Sequence, residues 1–139
     1  MKFEFLPDVA IADIAFRAYG KTREELFENC GLALTTTMAD LSKMGNEVKR
    51  KILIEGKDDA EILYNFLDEL IYIKDVDGQL FNEFRCKLYT GKMAVECAGD
   101  TLKSIGRQNL LNDVKAITMH LFKIEKDANG LKAMVVVDI

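Results

Sequence analysis

The stretch DVAIADIAFRAYG, residues 8–20, constrains the fold more than any other part of the chain. It is largely apolar, follows the only proline, Pro7, and closes on Tyr19-Gly20, where the chain can turn. A helix of this length would rarely hold its only carboxylates so near its start, so the segment reads as a strand buried on at least one face. With a period of two, Val9, Ile11, Asp13, Ala15 and Arg17 share one face, and Ala10, Ala12, Ile14, Phe16 and Ala18 share the other. Asp13 therefore interrupts an apolar row. A carboxylate there needs a cation, a metal ion or several donors to stay ionised. Arg17 or a nearby backbone N–H answers that need as well as a metal does.

The segments that follow say what this strand packs against. KFEFL, residues 2–6, is a short extended lead-in set off by Pro7. Beyond Gly20, Thr22 and Glu25 have capping-box spacing, and Leu26, Phe27, Cys30, Leu34, Met38 and Leu41 recur at three- and four-residue steps. That predicts an amphipathic helix of about 20 residues, weakest at Thr35-Thr36-Thr37, with Gly31 allowing a close neighbour. NEVKRKILIEG, residues 46–56, reads as a strand with Val48, Ile52 and Ile54 on one face. A second helix follows, with Asp58 and Asp59 at its start, Lys74 at its end and a stripe of Leu63, Phe66, Leu67, Leu70 and Ile71. Asp68 and Glu69, beside that stripe, read as solvated surface.

From residue 79 the pattern alternates. LFNEFRCKLY and KMAVECAG form a hairpin about Thr90-Gly91, and residues 99–112 read as the longest loop. DVKAITMHLFKIEK is then one long strand, DANG a turn, and LKAMVVVDI a final strand. The predicted fold is α+β, two helices on one mixed, largely antiparallel sheet in the order β-α-β-α-β-β-β-β, as one domain over residues 1–139.

Composition removes several function classes. A net charge of −4 argues against a general phosphate-binding surface. No apolar run approaches the ~20 residues of a membrane span, and no leader-like segment opens the sequence. Cys30, Cys86 and Cys97 lack Cys-x-x-Cys spacing and read as reduced packing residues of a cytoplasmic protein. A single histidine, His120, weakens zinc and Ser-His schemes. On a regular strand it shares a face with Ala116, Thr118 and Phe122, and it reads as a core histidine. Lys115 falls on the opposite face, so the two cannot serve one site. Gly99 and Gly106 make no phosphate loop, because no Gly-Lys-Ser/Thr follows.

The end of the chain is the other candidate. Val135-Val136-Val137 is core-like, yet it closes on Asp138 and the free carboxylate of Ile139. If this strand lies beside the first, Asp13, Asp138 and the terminal carboxylate converge, an all-oxygen donor set suited to calcium or magnesium. A final strand ending in a solvated Asp is the alternative.

Taken together, DVAIADIAFRAYG, TREELFENC, FLDELIYI, KAITMH and the terminal VVVDI resemble the archease family over essentially the whole chain. That resemblance implies a small, non-catalytic cytosolic protein that activates the tRNA-splicing ligase joining RNA ends bearing a 3′-phosphate or 2′,3′-cyclic phosphate. It implies help with the ligase's guanylylation by GTP and with multiple turnover, dependent on acidic residues that bind a divalent cation. By motif, the acidic residues are Asp13 and Asp138, and Lys115 is the lysine that contacts partner or nucleotide. Many members read His-Thr-Ala-Asp where this chain has Ala10-Ile11-Ala12-Asp13; Asp8, just upstream, is a possible accessory ligand. Two other readings stand beside this one, a small metal-dependent phosphoester hydrolase and a metal-free α+β interaction module.

Overall fold

The computed structural model describes residues 1–7 and 13–139. Asp8 and the family-motif positions Ala10, Ile11 and Ala12 lie outside the described residues. Strand β1 (Phe3–Phe5) is more than a lead-in: it pairs antiparallel with β2 (Ile14–Gly20), setting Phe3 opposite Ala18 and Phe5 opposite Phe16. Phe16 and Ala18 face the core and are fully buried, as the period of two predicts.

Helix α1 (Arg23–Met38) starts where the cap was expected, Thr22 Oγ1 accepting from the Glu25 N–H at 3.1 Å. The return half of the box is displaced by one residue, with Glu25 accepting from the Lys21 N–H. Helix α2 (Asp59–Asp77) repeats both features with Asp58, Glu61 and Lys57, and it ends on Gly78 at φ 63°, a left-handed cap that glycine adopts without steric cost. Between them, β3 (Val48–Glu55) buries Ile54 and exposes Leu53. The chain continues through the hairpin of β4 (Gln79–Tyr89) and β5 (Lys92–Thr101), a short α3 (Leu102–Ile105), and the hairpin of β6 (Ala116–Asp127) and β7 (Gly130–Asp138).

The α+β class and the order of the elements follow the sequence expectation, and the arrangement of the strands refines it. They form two antiparallel sheets, β1-β2-β7-β6 and β3-β5-β4, in place of one mixed sheet. The reason lies in α1. Leu26, Phe27, Cys30, Ala33, Leu34, Thr35, Thr37 and Met38 are all buried, too wide an arc for one sheet to cover. Accordingly α1 packs on β2 and on β4, one strand from each sheet, while α2 packs on β6, β3 and β4. The Thr35-Thr36-Thr37 run survives inside the helix because every hydroxyl donates to a carbonyl, Thr35 to Phe81 at 2.7 Å, Thr36 to Leu32 and Thr37 to Ala33.

Two further expectations are corrected. Residues 99–112 are not one loop: β5 runs to Thr101, and α3 and a 3-10 turn, Arg107–Asn109, follow. The long strand at 113–126 is also irregular. β6 pairs with β7 at Ala116–Thr118 and again from Lys123, so Met119–Phe122 stand opposite Val135 alone, with Met119, His120 and Leu121 exposed and Phe122 packed on Tyr64. The bulge turns His120 out to solvent, so it is not a core histidine.

Candidate functional site

Antiparallel pairing of β2 with β7 sets Ile14 opposite Val137. Asp13 immediately precedes Ile14 and Asp138 immediately follows Val137, so both acids flank this last pair, and Asp138 is itself paired with Ala116 of β6. β2 and the last strand β7 are thus neighbours, and the sequence's two candidate acids stand at the same end of one sheet. Both are partly buried, while Ile139 and Lys115 are exposed. Like charges at the same end of neighbouring strands repel unless a cation or donors lie near. Among the described residues Asp13 has no ion pair, so the Arg17 partnership is not made; Arg17 is set opposite Glu4.

Lys115 reaches this corner through its backbone. Its N–H donates to the Asp138 carbonyl at 2.8 Å, immediately before the Ala116–Asp138 pair. The segment leading to it is tied down by the end of α1: the Leu111 N–H donates to Met38 O, and the Asn112 N–H and Nδ2 both donate to Thr37 O. Asp13, Thr36, Thr37, Leu111 and Asn112, with Phe5 and Pro7, line an open pocket of about 350 Å³ beside these contacts.

The donor chemistry at the corner is hard oxygen only, the type that calcium and magnesium take, and magnesium retains waters where protein ligands are few. Among the described residues no three His, Cys, Asp or Glu side chains cluster as a metal site would require. On the same sheet face, in the row Ala15–Val136–Thr118, Thr118 Oγ1 is buried with no hydrogen-bond partner among the described residues. This leaves one unmet polar atom two residues from the corner.

Lys74 was read as a helix-end charge and is more than that. Its side chain is only 7% exposed, and Nζ meets Asp113 Oδ1 at 2.5 Å, Val114 O at 2.7 Å and Asp75 Oδ1 at 3.0 Å. The signal was present in the spacing: Lys74 continues the buried stripe of Leu67, Leu70 and Ile71 by one turn. A larger cavity, about 430 Å³, lies away from the corner on β3-β5-β4, where Glu96 sits between Lys51 at 4.0 Å and Arg85 at 3.7 Å.

The model of the Archease protein family matches residues 3–139. This chain belongs to the archease family. Protein archease of Methanosarcina barkeri is 37% identical over 145 residues, covering 99% of this chain and 96% of the relative. That of Archaeoglobus fulgidus is 35% identical over 140 residues and covers all of both chains. The solution structure of a Methanobacterium thermoautotrophicum protein superposes with a TM-score of 0.77 at 29% identity over 99% of each chain. A Thermotoga maritima crystal structure, described as an archease and possible chaperone, has the same fold, with a TM-score of 0.69 at 22% identity over 96% of each chain. No helix among the described residues is long and apolar enough to cross a membrane.

Proposed function

We propose that this archease is a non-catalytic activator of an RNA 3′-phosphate tRNA-splicing ligase, promoting its guanylylation by GTP and its multiple turnover. In this reading the protein works in the cytoplasm and presents the Asp13–Asp138 corner to the ligase. Asp13, Asp138 and the Ile139 carboxylate hold a divalent cation, calcium or magnesium, with Asp8 as an accessory donor. Such an ion would help to neutralise and orient nucleotide phosphates at the ligase. Lys115 contributes a mobile, strongly hydrated positive charge able to reach a partner carboxylate or a phosphate; any contact with tRNA or GTP is made through the ligase.

The observation that carries this reading is the pairing of Ile14 with Val137, which sets the flanking Asp13 and Asp138 at one end of a sheet built from distant parts of the chain, within family membership over residues 3–139. The test is ligase turnover with GTP and a 3′-phosphate RNA, with and without this protein, beside a control with this protein alone. Faster guanylylation and repeated turnover are expected only when both proteins are present. Ligase rates unchanged by the addition would remove the proposal, and phosphate release by this protein alone would point to the hydrolase instead.

A further inference from the structure

Lysine is rarely buried without partners, because stripping water from the ammonium costs several kcal/mol. Lys74 Nζ donates to Asp113 and to the Val114 carbonyl, and Asp75 lies within ion-pair distance at 3.0 Å. The two carboxylates sit at the surface, with side chains 55% and 78% exposed, so their charge reaches inward to the ammonium while they keep their own hydration. The second hydrogen bond goes to a buried backbone group, since Val114 is fully buried.

The bond to Val114 decides what the residue does. Val114 C=O and Lys115 N–H belong to one peptide unit. The carbonyl accepts from Lys74 Nζ at 2.7 Å, and the N–H donates to Asp138 O at 2.8 Å. A line of hydrogen bonds therefore runs from the last turn of α2, through a single peptide plane, to the backbone of the terminal Asp138. Bonds in such a line polarise and strengthen one another. The peptide plane cannot rotate without breaking a bond on one side or the other, and its orientation sets where the Lys115 side chain leaves the backbone. Residues 111 and 112 are held separately by α1, through Met38 O and Thr37 O, so this peptide is the last tie before β6.

The geometry points to Lys74 as the positioning residue of the carboxylate corner, aligning Lys115 with Asp138 through the Val114–Lys115 peptide. This rests on the reading of Lys115 and Asp138 as the working residues. Lys74 itself, buried under α2, touches neither ligase nor nucleotide.

The test uses the full chain carrying Lys74→Met, which fills similar volume without donors. Hydrogen exchange of the Lys115 amide should quicken by about tenfold or more, because its protection depends on the tied peptide, while α1 amides keep wild-type rates. In ligase assays the maximal stimulation should fall, with the concentration for half-maximal effect held within about twofold, the pattern of lost alignment without lost binding. In a Lys115→Ala background, Lys74→Met should then change stimulation little further, since residues acting through one another are not additive. Unchanged exchange at Lys115 would overturn the inference whatever the ligase does. Faster exchange with full stimulation would overturn the claim that this alignment matters. If wild-type protein fails to stimulate at all, the proposed function falls, and the exchange experiment still decides whether Lys74 sets the peptide. Should Lys74→Met not fold, Asp113→Asn serves in its place, because that side chain is largely solvent-exposed; it should quicken Lys115 exchange by a smaller factor, and no change there would also overturn the inference.

Discussion

At the scale of single residues, charge and burial separate the working candidates from the packing ones. Asp13 gains little from its protein surroundings among the described residues, so a cation at the corner is expected to register as stability. Calcium or magnesium should raise the melting temperature of the wild type, since a ligand that binds only the folded state stabilises it. Asp13→Ala should abolish that rise, and a variant that shifts as much as wild type would remove Asp13 from the site. Lys115 is exposed, so Lys115→Ala should cost no more than about 0.5 kcal/mol of stability in chemical denaturation. Ligase stimulation should still drop about tenfold, near 1.4 kcal/mol of transition-state stabilisation. Full rescue by Lys115→Arg would indicate charge steering, and normal stimulation by the alanine variant would make the lysine plain surface. The thiols behave oppositely. Burial pushes Cys97 up to about 12 and raises Cys30 and Cys86 as well. Folded-state values above the unfolded ones mean stability is fully present below about pH 9 and is lost as pH rises from there towards about 12. Denaturation midpoints followed across that range should fall, and an alkaline plateau would contradict it.

Elements show what the sequence disclosed and what it hid. The helices were legible because capping residues and apolar periodicity are local: Thr22 caps where its spacing says, Asp58 stands at the start of α2 as expected, and Leu63, Phe66, Leu67, Leu70 and Ile71 are buried as a stripe. The two acids of the corner were legible as residues out of keeping with their apolar strands. The two-sheet arrangement was not legible, because choosing which hairpin pairs with β2 is a long-range decision made by the burial of α1. Nor was the Met119–Phe122 bulge, where Leu121 sits at φ 60°, a conformation uncommon for a bulky side chain that no local pattern announces. Gly31 links both levels. A Cβ there would stand 2.8 Å from Phe84 Cε2, on a ring wedged edge-on between Phe66 and Phe81. Helix propensity favours Gly31→Ala by about 1 kcal/mol, but overpacking a close-packed core costs about 1–3 kcal/mol. The variant should therefore be no more stable than wild type, and less stable if the Phe84 ring cannot move. A clear gain in thermal stability would mean the ring gives way freely.

For the whole molecule, the consequence of the fold is that residues near the first strand and the last two of the chain form one surface, held by a core they do not help to fill. Ile14 and Val137, paired and packed in the core, end one residue short of the corner on each strand, and Asp138 and Ile139 extend past them. Removing Asp138 and Ile139 therefore deletes chemistry more than packing. Its structural cost is the Ala116 pairing and the Lys115 N–H bond to Asp138 O, about 0.5–1.5 kcal/mol for each hydrogen bond lost. A domain of this size has roughly 5–15 kcal/mol in hand, so the truncated protein should stay folded with a cooperative melt. It should nonetheless lose the divalent-cation shift and the stimulation of ligase guanylylation together, because both are assigned to the same carboxylates. Loss of the cation shift with stimulation intact would separate metal binding from function and favour a metal-free interaction module. Retention of both would show that the chain terminus is not part of the site, whatever the register brings beside it.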